Sequence, residues 1–262
     1  MRGRIVNNKS IVIAVGFFLI IAIAIVFTSC LNESHDDIER FISIEGDVNK
    51  SVTKRNTKPA KNENALPGDS DFEGIALPDF IKESEISGTP KYLYFMSGDG
   101  FTVKIDYDGS EKAYMIFSER RGWCIVAPEH PISVNALDLG RIIVVSENSE
   151  IGLNIVKSGG DKVIIPMGKI LLTPMVIDLK FEGKADIGDG GNTLSSEVYT
   201  EQRTLSILDM YEEYNNESFV VVTNAGEKYL TDGNGRFSFY RQKINYIEQS
   251  GDEYEDVTEI QF

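Results

Sequence analysis

The chain has few of the residues on which most protein chemistry depends. Its 262 residues include two cysteines, two histidines and one tryptophan. Cys30 and Cys124 cannot supply a network of disulfide bonds, so the chain is not a small disulfide scaffold. Only His130 lies in the C-terminal two thirds, and a Ser-His-Asp triad would depend on it alone. The sequence contains no Gly-x-Ser-x-Gly, Walker, Rossmann or His-Glu-x-x-His motif, and so gives no support to the reactions those motifs serve.

Basic residues are scarce after the first quarter of the chain. Residues 1–70 hold nine Lys or Arg and eight Asp or Glu, whereas the remaining residues hold 17 basic and 33 acidic side chains. Nucleic acid repels such an acidic body, and we expect no nucleic-acid partner. The early basic residues include a stretch that we assign to a solvated spacer able to touch lipid headgroups: Lys50, Lys54, Arg55, Lys58 and Lys61.

The N-terminus has the pattern of an export signal or a membrane anchor. Arg2, Arg4 and Lys9 precede an uncharged, apolar run at residues 11–27. Cations stay on the cytoplasmic side of a membrane while the apolar segment enters the bilayer. We therefore predict that residues 1–30 are a signal peptide or transmembrane anchor. Residues 31–262 are then held on the extracytoplasmic side of the cell membrane.

Two forms of attachment remain open. Residues 11–27 are just long enough to cross about 30 Å of hydrocarbon as an uncleaved helix. Alternatively, Phe27-Thr28-Ser29-Cys30 resembles the prokaryotic lipoprotein box, in which small residues precede a lipidated cysteine. Phe27 departs from the usual aliphatic residue of that box. The resemblance implies that Cys30 is lipidated and becomes the mature N-terminus.

The composition predicts a β-rich α+β fold behind this segment. Residues 31–71 are polar and are expected to form a flexible stalk, because they cannot bury enough apolar surface to offset the entropy of ordering. Short β-branched and aromatic runs, bounded by Gly, Asp and Asn, predict strands from residue 72 onward. We predict a first α+β unit at 72–146, a strand-rich connection at 147–195 and a second unit at 196–262.

These two units are predicted to be divergent copies of one sheet-plus-helix unit. Residues 75–83 match residues 205–213 as short apolar helical patterns, with Asp79 and Asp209 in register. An apolar strand and a glycine-containing turn follow each pattern. Asp138-Leu139-Gly-Arg-Ile142 then corresponds to Asp256-Val257-Thr-Glu-Ile260. The conserved order of these features predicts an internal repeat.

The first unit also resembles the oxidoreductase molybdopterin-binding domain of the sulfite oxidase family. The resemblance lies in the order of Gly74, a short helix, a strand, Ser97-Gly98-Asp99-Gly100-Phe101, Gly122-Trp123 and Ala127-Pro128-Glu129-His130-Pro131. It implies an oxidoreductase, or a relative that binds the molybdopterin cofactor. In that family a cysteine thiolate holds molybdenum, and here Cys124 is the candidate thiol. Since Cys124 lies in an apolar run and Arg2 and Arg4 are not a twin-arginine pair, a cofactor-free relative fits the sequence better.

One loop has the residues of a calcium site. Asp186, Asp189, Asn192 and Glu197 supply oxygen ligands, although Gly188 and Gly190 occupy positions where an EF-hand has ligands. A hairpin loop is the alternative. The sequence thus predicts a membrane-tethered module without a catalytic site or cofactor, whose partner is a protein, a surface polymer or a small ligand. The alternative is a redox or cofactor-binding relative of the sulfite oxidase family.

Overall fold

The structure is a computed structural model, and it describes residues 40–55, 58–129, 136–189, 192–214, 218–240 and 242–262, with the side chains of 178–201 excepted. The predicted membrane segment, Cys30 and His130 lie outside these residues. Within the ranges just given, no helix is both long enough and apolar enough to cross a bilayer.

The first half of the described chain contains eight strands, one α-helix and two 3₁₀ helices. The strands are β1 (Phe41–Gly46), β2 (Val52–Arg55), β3 (Ile75–Ala76), β4 (Thr89–Ser97), β5 (Thr102–Asp106), β6 (Tyr114–Ser118), β7 (Gly122–Val126) and β8 (Leu139–Glu147). The α-helix is α1 (Leu77–Ile81), and the 3₁₀ helices are η1 (Lys82–Ser84) and η2 (Tyr107–Lys112).

These elements form two sheets around one hydrophobic core. Sheet I has the strand order β2-β1-β8-β4-β5, and sheet II has the order β3-β6-β7. Only β1 and β8 are parallel; the other pairs of both sheets are antiparallel. Ile44 and Phe95 from sheet I, Phe80 from α1 and Trp123 from sheet II belong to this first core.

The second half contains ten strands and two short α-helices. The strands are β9 (Gly152–Val156), β10 (Lys162–Pro166), β11 (Val176–Asp189), β12 (Asn192–Leu205), β13 (Phe219–Thr223), β14 (Lys228–Thr231), β15 (Arg236–Tyr240), β16 (Lys243–Ile247), β17 (Glu253–Tyr254) and β18 (Val257–Gln261). The helices are α2 (Met167–Leu172) and α3 (Ile207–Met210). Ser206 and Asp209 close the start of α3 with a reciprocal capping box.

The second half repeats the topology of the first. Sheet III has the order β10-β9-β18-β13-β14, and β9 is parallel to β18 as β1 is to β8. In sheet IV, of order β11-β12-β15-β16-β17, the end of β12 leads into α3 as β3 leads into α1. The protein is thus a β-rich α+β fold whose halves share one arrangement of strands.

The equivalence extends to single positions. The parallel pair Ile44 and Ile142 corresponds to Ile155 and Ile260. Asp138 and Asp256 precede the equivalent strands β8 and β18, and both have left-handed backbone, with φ of 51° and 57°. Each carbonyl accepts a hydrogen bond from the turn after β4 or β13, and a register shift lies beside it. Asp tolerates this conformation better than most residues do, which explains why it recurs at this place.

The structure corrects the predicted stalk and domain boundaries. A flexible stalk over residues 31–71 does not agree with β1, which lies inside sheet I and whose Ile42 and Ile44 are fully buried. Residues 58–74 are also held, for example by the Ala60 N–H that donates to the Phe117 carbonyl at 2.8 Å. The repeated elements run from 41 to 147 and from 152 to 261, so the segment predicted as a connection contains β9 and β10.

A buried carboxylate joins the two halves. Asp47 follows β1 and is fully buried. Its Oδ2 accepts the Ser146 N–H at 2.7 Å, and its Oδ1 accepts the Gly168 N–H of α2 at 2.9 Å. A Cβ at Gly168 would lie 2.5 Å from the Val144 carbonyl oxygen, so only glycine lets α2 approach this closely. Burial raises the pKa of Asp47, and the bonds from Gly168, Ser146 and Ser149 partly oppose that rise.

Removing this carboxylate should destabilise the fold strongly. Asp47→Ala leaves two buried N–H groups without an acceptor, and we expect the free energy of unfolding to fall by about 2–5 kcal/mol. A urea titration followed by tryptophan fluorescence measures the change. The control is Asp106→Ala, at the exposed end of β5, which should change stability by no more than about 0.5 kcal/mol. Equal effects of the two substitutions would show that Asp47 does not hold the halves together.

Candidate functional site

A cavity of about 450 Å³ opens on the first half between β2, the segment after it, α1 and sheet II. Four basic side chains line it, and we call it the cationic cleft: Lys54, Arg55, Lys58 and Lys61. Its floor includes the rings of Phe80, Phe117 and Trp123. Four of the five basic residues of the predicted spacer are therefore gathered around one opening of the folded body, and Lys50 is not in its lining.

Local structure fixes both walls of the cleft. β2 carries Lys54 and Arg55 at the edge of sheet I. The bond from the Ala60 N–H to Phe117 ties the following segment to sheet II. The Lys61 N–H donates to Glu73 Oε2 at 2.8 Å, which holds the other end of that segment. The spacing of the basic side chains is thus set by backbone contacts.

The aromatic floor contains an unsatisfied hydrogen-bond donor. The Trp123 ring meets Phe80 and Phe117 edge to face, with centroids 5.1 and 5.4 Å away. Trp123 is 6% exposed, and its indole nitrogen has no hydrogen-bond partner in the part of the chain that the structure describes. An unmade buried hydrogen bond costs about 1–3 kcal/mol.

The charges of the cleft are only partly neutralised. Lys54 Nζ lies 2.9 Å from Glu83 Oε2, and the hydrogen bond and charge of Lys54 lower the pKa of Glu83. Lys61 Nζ lies 3.8 Å from Glu73 Oε1. Lys58 has no ion-pair partner among the described residues. Glu73 and Asp79 of the lining and the neighbouring Glu83 set three carboxylates against four basic side chains, which leaves one positive charge in excess.

This arrangement is suited to holding an anion over an aromatic surface. Lysine and arginine supply charge-assisted hydrogen bonds to phosphate or carboxylate oxygens. The sequence pattern showed the basic stretch, but with a stalk predicted there it could not show that Phe80, Phe117 and Trp123 lie beneath it. The spacing of Lys54, Arg55, Lys58 and Lys61 was the one signal that pointed to the site.

Cys124 does not fit the molybdenum site that the family resemblance implies. It neighbours Trp123 in β7, so the two side chains lie on opposite faces of sheet II. The thiol is 2% exposed and donates to the Gly122 carbonyl at 3.4 Å. Burial raises its pKa to about 11, whereas a metal-binding thiol must lose its proton. The thiol and the cationic cleft therefore lie on opposite faces of sheet II and do not form one cofactor site.

The calcium candidates lie on a long hairpin. β11 and β12 pair with each other over their whole length, and β12 joins β15 only at Thr204 and Leu205. Asp189 is opposite Asn192, Asp186 is opposite Ser195, and Glu197 is opposite Lys184. The Asp189 and Glu197 positions are thus about 17 Å apart along the strands. The register separates the candidates too widely for one ion to bind all four.

A second cavity, of about 270 Å³, lies where sheet I meets the second half. Its deepest charged group is Glu45, which is 5% exposed. Glu45 Oε2 lies 3.3 Å from Arg141 Nε. Its lining holds two basic side chains, Arg141 and Arg203, against four in the cationic cleft, so it offers an anion fewer charged donors.

Comparisons with known proteins do not assign the chain to a family. No family model and no curated protein matches the sequence. Among solved structures, the sulfane dehydrogenase SoxCD from Paracoccus pantotrophus matches with a TM-score of 0.32 and 10% sequence identity. That match covers 82% of this chain and 68% of the other. A TM-score of this size does not establish a common fold, and the resemblance to the sulfite oxidase family stays a prediction.

Cys124 should react slowly in the folded chain. With a thiol pKa of about 11, alkylation by iodoacetamide near neutral pH should be at least roughly 100-fold slower than in the urea-unfolded chain. Peptide mass spectrometry measures the rate at Cys124 separately from Cys30. Equal rates in the folded and unfolded chain would contradict a buried structural thiol.

Proposed function

We propose that the chain is a membrane-tethered, extracytoplasmic binding module without a catalytic role, and that it binds an anionic ligand in the cationic cleft. The observation that carries the proposal is the cleft itself, where four basic side chains surround an aromatic floor. A ligand with a phosphate or carboxylate group on an apolar or cyclic body matches both features.

The contrast between the cleft and the rest of the body supports an anionic ligand. Residues 71–262 carry 33 acidic and 17 basic side chains, so an anion meets repulsion over most of that surface. The cleft is a local exception, and Lys58 is available to a ligand without first leaving an ion pair within the described chain.

The anchor and the duplicated body complete the proposal. The apolar run at 11–27 and the lipoprotein-like Cys30 support attachment to the membrane, as a helix or through lipid. We interpret the two halves as divergent copies of one unit, because strand order, strand direction and the Asp138 and Asp256 positions coincide. The cleft belongs to the first copy, and the basic β2 has the less basic β10 as its counterpart in the second.

Anion binding can be followed through the only tryptophan of the chain, which lines the cleft. Titration with inorganic tripolyphosphate should change the Trp123 emission to saturation. Lys58→Glu reverses a charge that has no ion-pair partner among the described residues, and it should raise the dissociation constant about tenfold, or roughly 1.4 kcal/mol.

The matched control is Lys228→Glu, on β14 of the second half, which makes the same change of net charge. It should leave the dissociation constant within about twofold of the unmodified chain. Equal weakening by both substitutions would show that only net charge matters and not the cleft. A titration without a saturable response would overturn the proposal.

The form of the anchor can be read from the mature N-terminus. A lipoprotein should begin at Cys30 and carry the mass of acyl chains, whereas an uncleaved helix should keep residues 1–30. Intact-mass spectrometry of membrane-extracted chain distinguishes these results. Recovery of the chain from the soluble fraction, without acyl groups and without residues 1–30, would refute membrane attachment.

A further inference from the structure

We propose that the cationic cleft binds the phosphate of anionic lipid headgroups in the membrane that anchors the chain. The inference rests on the proposed function and names the ligand of the same site. Binding would hold the first half of the body against the membrane surface, with the cleft facing the lipid.

The chain enters the folded body beside the cleft. β1 begins at Phe41, whose register partner in the antiparallel strand β2 is Arg55, a residue of the cleft. Directly opposed residues of antiparallel strands have Cα atoms about 4.5–5.5 Å apart. Arg40 holds this entry point, because its Nη1 lies 2.7 Å from Asp138 Oδ1. The covalent connection to the anchor and the edge of the cleft are therefore adjacent.

The connection is also short. Residues 31–39 join Cys30 to Arg40, and these ten residue-to-residue steps span at most about 36 Å in any conformation. The predicted stalk of about forty residues would have allowed the cleft to lie far from the membrane. With β1 and β2 inside the body, the entry point beside Arg55 stays within this limit of an anchor at Cys30.

Charge selects the side of the body that can approach an anionic surface. Each Lys or Arg near such a surface contributes about 1 kcal/mol of attraction, whereas the acidic remainder of the body is repelled. The Lys61 side chain is 87% exposed, and Lys58 is exposed as well. Phe41, the register partner of Arg55, is 49% exposed where the chain enters the body, and it offers an apolar ring to the interface. Cations and an apolar side chain at one edge match the boundary between headgroups and acyl chains.

The test uses the full chain reconstituted in vesicles of phosphatidylcholine alone or with increasing phosphatidylglycerol. We expect phosphatidylglycerol to change the Trp123 emission and to slow amide hydrogen exchange in residues 54–61. Lys58→Glu should raise the phosphatidylglycerol fraction needed for half of the response about tenfold, while Lys228→Glu should leave it within about twofold.

A longer connection distinguishes the anchoring membrane from a free phosphate compound. Insertion of twenty Gly and Ser residues after Glu39 lowers the effective concentration of the cleft at the membrane. The phosphatidylglycerol fraction for half of the response should then rise about fivefold, from the −3/2 power of connection length. Affinity for tripolyphosphate, measured in phosphatidylcholine vesicles, should not change.

The outcomes separate this inference from the proposed function. Saturable binding of tripolyphosphate together with no response to phosphatidylglycerol would overturn the lipid inference and leave the anion-binding function standing. A response to phosphatidylglycerol that survives Lys58→Glu would also overturn it, because the lipid would then act elsewhere. No response to either probe would overturn both.

Discussion

The fold depends on one carboxylate that is buried where its halves meet. Asp47 accepts hydrogen bonds from the end of β8 and from the first turn of α2. Its raised pKa shows that desolvation outweighs the bonds it receives, so the folded state binds a proton at this group more tightly than the unfolded chain does. Protonation of Asp47 therefore adds to the free energy of unfolding at low pH, and this contribution is lost as pH rises through the pKa of Asp47 in the folded state. The contact keeps the halves in one orientation at a cost in stability at neutral pH.

The hydrophobic packing depends on that orientation. In β8, Ile142 and Val144 belong to the core of the first half, whereas Ile143 belongs to the core of the second. Sheet I is thus covered on both faces. The residues of β8 that point to either face are apolar, as expected for a strand buried on both sides. A rotation of α2 away from Asp47 would expose the second face of sheet I. Because Gly168 has no Cβ, α2 can approach the backbone of β8 at this point.

The sequence predicted the β-rich α+β class. It also predicted part of the repeat, because the residues that form a turn are neighbours in the sequence. Asp138 and Asp256 were placed in register by pattern, and the structure gives them the same backbone conformation. The start of each copy could not be read in this way. β1 is short and surrounded by polar residues, and its burial depends on parallel pairing with β8, about one hundred residues later. A composition argument applied to residues 31–71 therefore predicted a stalk where the protein has an interior strand and an edge strand of sheet I. The cationic cleft was missed for the same reason, since its floor comes from strands far along the chain.

Because β1 and β2 belong to sheet I and not to a stalk, the basic residues beside them can act together on one ligand. In a flexible spacer, cations act independently, and each gains only a screened attraction to a distant charge. In the cleft, Arg55 and Lys61 are attached to a fixed backbone, and the Trp123 ring limits access from below. An anion bound there is met by charges whose positions are already set, so less side-chain freedom is lost on binding. The acidic remainder of the body then contributes to specificity, because it disfavours every other approach of an anionic surface. In the proposed membrane-bound state, orientation would follow from the distribution of charge over the body and would require no second anchor.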